Sequence, residues 1–306
     1  MITFDCKYPI LEACMNKGST IDLAVAVHKA GGYPSLCSWT YNRNETLFRR
    51  DLTRFADVTQ SNRVHVSFEF NEYDNQVILD IIKSYHLPTV ELIYGQNNVF
   101  KDSYQTDQQT QDRTMELLIG IKNLGTKIFK RIYEPTPPLS EDLTLIDGYC
   151  IKGLESAGVA SYLPILQTYH EQRTLTPDAM LIPYGGIGSA LQVKEYMDLG
   201  AEIVGVGTLL ALSAESPVAQ STKLAAINAT TQDLVEFKHV FGTSPRKQSA
   251  LKFGDFLGND DANGTIGLVR GLRGKSDGHV YLGHGVNQVT DVRTCQEIIN
   301  DLVSLL

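Results

Sequence analysis

The chain has 306 residues, a formal net charge of −8 and a hydrophobic fraction of 42%. This fraction is ample for a large buried core, and an acidic chain without runs of Lys or Arg argues against a nucleic-acid or anionic membrane partner. The sequence contains no run of ~20 apolar residues, so no membrane span is expected. The N-terminus lacks the pattern of a signal peptide. A small-molecule substrate and a cytoplasmic location are expected. The sequence is compatible with a homodimer.

The five cysteines are widely spaced and form no CxxC motif, and the seven histidines form no HxH or HxxxH motif. Such spacing favours a reducing compartment and predicts neither a disulfide framework nor a metal site.

Short apolar runs alternate with longer amphipathic segments. The short runs predict eight strands: Tyr8–Ala13, Ser35–Trp39, Val64–Phe70, Thr89–Tyr94, Lys127–Tyr133, Asp147–Lys152, Ala179–Tyr184 and Ala201–Val206. Helical spacing predicts helices between most of them: Ser19–Ala30, Asp74–Tyr85, Asp107–Leu124, Tyr162–Gln172 and Leu191–Leu199. This alternation predicts an α/β fold, a (β/α)₈ TIM barrel with a C-terminal helical and loop extension.

The expected division is a barrel core over residues 1–215 and a C-terminal extension over 216–306 that packs on or over it. Gln220–Ala229 and Val292–Leu305 have helical spacing. Gly242–Gly278 is rich in Gly, Asp and Asn and is either a lid over the barrel mouth or a flexible excursion.

Two glycine-containing segments follow the last two predicted strands: Gly185-Gly186-Ile187 and Gly207-Thr208, which we call the two clips. Glycine lets a backbone approach an anion, and the loops after strands seven and eight are the usual phosphate site of a barrel. The clips are separated by one strand–helix–strand step, so they can converge on one phosphate. Each alone is also explained as a helix start or a tight turn.

Four blocks, Tyr8–Met15, Ser19–Leu36, Gly153–Gly158 and Gly185–Ser216, resemble in order the nitronate monooxygenase (2-nitropropane dioxygenase-like) flavoproteins and their relatives, the FMN-containing enoyl-acyl-carrier-protein reductases. The first block resembles the PII-x-APM pattern of the family's first strand. The resemblance implies an FMN-dependent oxidoreductase. It also implies the cofactor-binding residues Ala13, Cys14, Met15, Ser67, Lys152, Gly158, Tyr184, Gly185, Gly186, Gly207 and Thr208.

Ala13, Cys14 and Met15 are expected beside the isoalloxazine, and Ser67 stands where the family often has an asparagine. A cation at Lys152 also has a physical reason, since it would stabilise the negative charge of a reduced flavin; a surface role at a strand end is the alternative. Lys130 and Arg131 offer a similar cation, and strand alternation allows only one of them to point inward.

The resemblance places Val159 where the family has a histidine assigned to proton abstraction, and valine cannot move a proton. Three hypotheses remain open. Glu155 or His284 supplies the base; the chemistry is hydride transfer with a substrate or NAD(P)H, as in a flavin or enoyl reductase; or the protein binds flavin without catalysis.

A purine-nucleotide barrel similar to IMP dehydrogenase or GMP reductase is a further alternative, because Gly207–Ala211 and Glu215–Pro217 are similar to its phosphate grip. Such enzymes need a cysteine in the loop after strand six, and residues 153–162 contain none.

Overall fold

Eight parallel strands form one sheet. The computed structural model describes residues 4–69, 73–93, 108–138, 142–227, 229–238, 247–252, 265–276 and 278–306. The strands are β1 (Ile10–Glu12), β2 (Ser35–Cys37), β3 (His65–Glu69), β4 (Thr89–Ile93), β5 (Lys127–Ile132), β6 (Gly148–Lys152), β8 (Met180–Tyr184) and β9 (Val204–Val206). A short β7 (Gly158–Ala160) lies in a second sheet.

The sheet closes on itself. Its strands run in the order β1-β9-β8-β6-β5-β4-β3-β2. Tyr33, just before β2, donates its N–H to Ile10 O at 2.8 Å and accepts from Glu12 N at 2.9 Å, which joins the two ends. The predicted (β/α)₈ barrel is therefore confirmed.

Helices connect the barrel strands and continue into the C-terminal segment. They are α1 (Ile21–Lys29), α2 (Glu45–Thr59), α3 (Asn75–Tyr85), α4 (Gln108–Asn123), α5 (Asp142–Leu145), α6 (Ile165–Leu175), α7 (Ala190–Asp198), α8 (Thr208–Ala211), α9 (Gln220–Ile227), α10 (Thr265–Leu272) and α11 (Cys295–Leu302). The predicted elements coincide with these to within a few residues. Phe70, Tyr94 and Asp107, at three predicted ends, lie outside the described residues.

Helix α2 was not predicted. Its buried face consists of Phe48, Leu52 and Phe55 in helical spacing, and the Asn44 side chain accepts from Leu47 N at 3.0 Å to cap its start. Charged residues between these apolar positions mask the pattern in the sequence.

The lower end of the barrel is plugged by Phe4. Its ring packs edge-on against Tyr33 at 4.9 Å between centroids and lies 5.4 Å from the ring of Phe129. Apolar side chains fill the interior above it, whereas the upper interior is polar. At this end the barrel is thus a packed core rather than a pore.

The C-terminal third forms a small antiparallel sheet, which the sequence did not predict. It contains β10 (Leu234–Lys238), β11 (Lys247–Lys252) and β12 (His279–Val280), and β11 also pairs with β7. Part of the predicted lid or excursion, Gly242–Gly278, falls here. Its residues 242–246, 253–264 and 277 lie outside the described residues.

The last helix completes the outer ring of the barrel. Helix α11 packs against α1 and α7, and a methyl group at Gly32, after α1, would lie 3.0 Å from Ile299 Cδ1. Residues Cys295, Ile298, Ile299 and Leu302 are buried in the same cluster as Ile10. The segment 216–306 therefore supplies a helix that packs among the barrel helices.

Candidate functional site

The first clip has a backbone that only glycine adopts readily. Gly185 and Gly186 have φ angles of 127° and 69°. A side chain at Gly185 would overlap Ser156 Oγ, and one at Gly186 would lie 2.7 Å from Glu155 Cβ. Within the described part of the chain, the N–H groups of Gly186 and Ile187 donate to no acceptor. Two backbone donors are therefore available to an anion.

The two clips converge on one point, and Gly285 marks it. A methyl group at Gly285 would lie 3.4 Å from Thr208 Cβ and 3.7 Å from the backbone oxygen of Ile187. The neighbouring Gly283 donates its N–H to Thr208 Oγ1 at 3.0 Å. The C-terminal segment thus joins the two clips in a single glycine-lined concavity.

The N-terminal block lies beside the second clip. Ala13 donates its N–H to Val206 O at 3.0 Å. A methyl group at Gly207 would lie 3.5 Å from Ala13 Cβ and 3.9 Å from Met15 Sδ. The structure therefore brings together two regions that are almost 200 residues apart in the sequence.

An ion pair lies in the upper barrel interior. Arg131 donates to the two carboxylate oxygens of Glu91 at 2.7 and 2.5 Å, and its Nη2 also lies 3.4 Å from Ser67 Oγ. Burial alone would raise the pKa of Glu91, but the guanidinium outweighs it and holds that pKa below its usual value. Of the two basic residues of β5, Arg131 is the one that points inward; Lys130 is buried on the opposite face of the strand.

Lys152 ends β6 on the same inward side as Cys150. Its Nζ donates to Ala157 O at 2.9 Å. Desolvation, reinforced by the positive charge of Arg131, lowers the pKa of Lys152 to about 7. An amine with this pKa gains or loses a proton near neutrality.

Tyr184 and Ser67 lie deeper than the clips. The Tyr184 ring is inside the barrel, where the Cys150 thiol lies 3.8 Å from its hydroxyl. Its backbone oxygen accepts from Ser156 Oγ at 2.7 Å, so the residue supports the first clip from below. Ser67 is 2% exposed and lies under Arg131.

The loop after β6 is held as a strand. Gly158, with φ of 60°, and Val159 pair with Ser249 and Gln248 of β11. The position that the resemblance assigns to a catalytic histidine therefore belongs to β7 and is fixed by the C-terminal segment.

The two candidate bases have different surroundings. Glu155 accepts from Ile165 N at 2.9 Å through Oε2, which caps the start of α6. His284 does fold back onto the site: its N–H donates to Glu155 O at 2.9 Å, and its Cβ lies beside Gly186.

Solved structures with the same architecture exist. FabK from Thermotoga maritima superposes with a TM-score of 0.80 at 19% sequence identity, covering 99% of this chain and 93% of that chain. Nitroalkane oxidase from Streptomyces ansochromogenes gives a TM-score of 0.75 at 14% identity, covering 98% and 95%. The enoyl reductase domain of MlnA from Bacillus amyloliquefaciens gives 0.69 at 12% identity, covering 98% and 94%.

The chain shares the fold of these proteins. The resemblance seen in the sequence is therefore confirmed for the fold. No protein-family model and no curated protein sequence matches the chain. Because one fold hosts many reactions, the activity has to be argued from the site.

Sequence reasoning missed the contribution of Gly283 and Gly285 to the site. The Gly-His-Gly spacing at residues 283–285 was the available signal, but only the fold places it against Thr208. Among the described residues, no helix is both long and apolar enough to cross a bilayer.

Proposed function

We propose that the chain is an FMN-dependent oxidoreductase whose phosphate site is the concavity between the two clips. The observation that carries this proposal is the position of Gly285, which lies against both Ile187 and Thr208. Free backbone donors and the absence of side chains suit a phosphate, which accepts several charge-assisted hydrogen bonds.

The residues around the concavity fit the remainder of FMN. Gly185, Gly186, Gly207 and Thr208 would hold the phosphate, and Ala13, Cys14 and Met15 would line the isoalloxazine. Bound FMN supplies a two-electron carrier. Ser67, Gly158 and Tyr184 support this surface from below and from the loop after β6.

We further propose that the reaction is a hydride transfer, such as the reduction of an activated alkene by a nicotinamide, rather than proton abstraction from a nitroalkane. Val159 has no titratable group, and the Glu155 carboxylate is already bound to the start of α6. Lys152 Nζ would stabilise negative charge on the ring and hold a proton near it. FabK and the MlnA domain, named as an enoyl reductase, share this fold.

The cofactor proposal is tested by comparing FMN with riboflavin, which lacks only the phosphate. We expect yellow purified protein that releases FMN, and riboflavin binding at least ~100-fold weaker, because two or more charge-assisted hydrogen bonds are lost. Equal affinity for the two would show that the clips do not hold a phosphate. A protein that binds neither would refute the cofactor assignment.

The reaction proposal is tested by anaerobic stopped-flow reduction of bound FMN. We expect rapid reduction by NADH or NADPH and slow reduction by a nitronate, with Val159→His increasing only the nitronate rate. Rapid nitronate reduction of the wild type would instead support a nitronate monooxygenase. No reduction by any of them would leave a flavin-binding protein without this activity.

A further inference from the structure

A cluster of metal-ligating side chains lies in the barrel interior, outside the two clips. Cys14 follows β1, His65 begins β3 and Glu91 lies in the middle of β4. Their ligating atoms all lie within 4.8 Å of one another. Three separate strands therefore place a thiol, an imidazole and a carboxylate around one point.

One of these ligating atoms lacks a partner. His65 Nδ1 lies 3.0 Å from Thr89 Oγ1, which orients the ring. His65 Nε2 is buried and has no hydrogen-bond partner in the part of the chain that the structure describes. Leaving a buried polar atom unpaired is unfavourable, so an occupant at this point would stabilise the fold.

Glu91 retains the capacity to bind a cation despite its pairing with Arg131. An ionised carboxylate has roughly four acceptor positions, and the guanidinium uses two of them. The Cys150 thiol donates to a third position, which leaves one for a cation. The buried Ser35 hydroxyl, next to Cys14, or a water can complete a tetrahedral shell.

We propose that Cys14, His65 and Glu91 bind a Zn²⁺ ion inside the barrel. One sulfur, one nitrogen and one oxygen ligand in a compact, buried arrangement suit zinc, whose usual ligands are these three groups in tetrahedral geometry. The Thr89 contact to the other imidazole nitrogen is the kind of second interaction that orients a ligating histidine.

Because the ion would lie beneath the residues proposed to line the isoalloxazine, it would join β1, β3 and β4 under the cofactor surface.

Metal content and X-ray absorption of the whole protein, with its flavin, test the proposal. We expect about one zinc per chain, with one sulfur at ~2.3 Å and nitrogen or oxygen at ~2.0–2.1 Å. Cys14→Ser should lower zinc affinity by at least ~100-fold, as should His65→Gln if the first variant does not fold. Cys295→Ser, a buried thiol that contacts Ser213 and not the cluster, should keep the metal.

Protein grown with added zinc that carries no metal, or zinc without a sulfur ligand, would overturn the proposal and leave an ordered water as the occupant. Cys14→Ser protein that retains zinc would overturn it as well. Neither readout depends on turnover or on flavin content, so failure here is separate from failure of the proposed oxidoreductase function.

Discussion

Lys152 combines a partly buried position with an amine that titrates near neutrality. Its ammonium form would stabilise negative charge that develops on the cofactor ring, and this form is lost as the pH rises through the pKa of about 7. We therefore expect the rate of flavin reduction to fall above pH 7 in the wild type.

Two variants of Lys152 separate the effect of its positive charge on the rate of flavin reduction from the effect of its deprotonation. Lys152→Met should be slower by roughly 10-fold below pH 7 and independent of pH, since one stabilising charge is removed. Lys152→Arg should also be independent of pH, because a guanidinium stays charged. Stopped-flow traces between pH 5.5 and 9 on all three proteins, with flavin content matched, measure this. A transition near pH 7 that persists in Lys152→Met assigns the titration to another group.

Glu12 is a buried acid in β1, and its side chain lies on the helix-facing side of the strand rather than in the barrel interior. Its Oε2 accepts from Ser35 N at 3.1 Å, while its Oε1 has no partner among the described residues. Burial raises the pKa of Glu12 to about 8. Between the ordinary pKa of a glutamate and this raised value, Glu12 keeps its proton in the folded state and loses it in the unfolded state. The free energy of unfolding therefore falls as the pH rises through this range.

Glu12→Gln should remove this dependence. Glutamine keeps the shape and the acceptor but has no proton to lose, so we expect the free energy of unfolding to rise by about 1–3 kcal/mol at pH 7.5 and by less at pH 5. Urea titrations at the two pH values measure the difference. An equal change at both would mean that packing, not ionisation, is altered.

At the scale of elements, the pairing of β7 with β11 controls the loop after β6. Gln248→Pro removes a backbone donor from the central strand of the small sheet, whereas Gln248→Ala keeps it. We expect hydrogen exchange of the amides at residues 158–160 to accelerate at least ~10-fold in the proline variant only, with weaker FMN binding. Unchanged exchange in both variants would show that the loop holds its conformation without β11.

The barrel strands were predictable because each is a short run of apolar residues bounded by turn residues, and the interior demands that pattern. The second sheet was not predictable, because β11 (KQSALK) has few apolar residues and its partner β7 lies almost 90 positions earlier in the sequence. Pairing at that distance depends on the closed barrel, which no local pattern encodes.

Part of the candidate site was also predictable from the sequence, and part was not. The clips were visible because their glycines are close in sequence and follow predicted strands. Two features were not visible in the sequence: the convergence of the clips on Gly285, and the cluster of Cys14, His65 and Glu91. Their residues come from parts of the chain that are far apart in sequence. Spacing rules for metal sites describe ligands on one helix or loop and do not extend to a barrel interior.

At the scale of the whole molecule, α11 tests whether the end of the chain belongs to the barrel. Ile299 is fully buried, so Ile299→Ala should lower the free energy of unfolding by about 2–5 kcal/mol through lost burial and a cavity. Gln296→Ala, on the exposed side of the same helix, should change it by less than about 0.5 kcal/mol. Chemical denaturation measures both, and equal effects would contradict the docking of α11.

The position of Gly285 has a consequence for biosynthesis. The proposed FMN site needs residues as far apart in the sequence as Ala13 and Gly285. A nascent chain therefore has no complete cofactor pocket until Gly285 has left the ribosome. Before that point the part of the barrel already made exposes an open glycine-lined cleft.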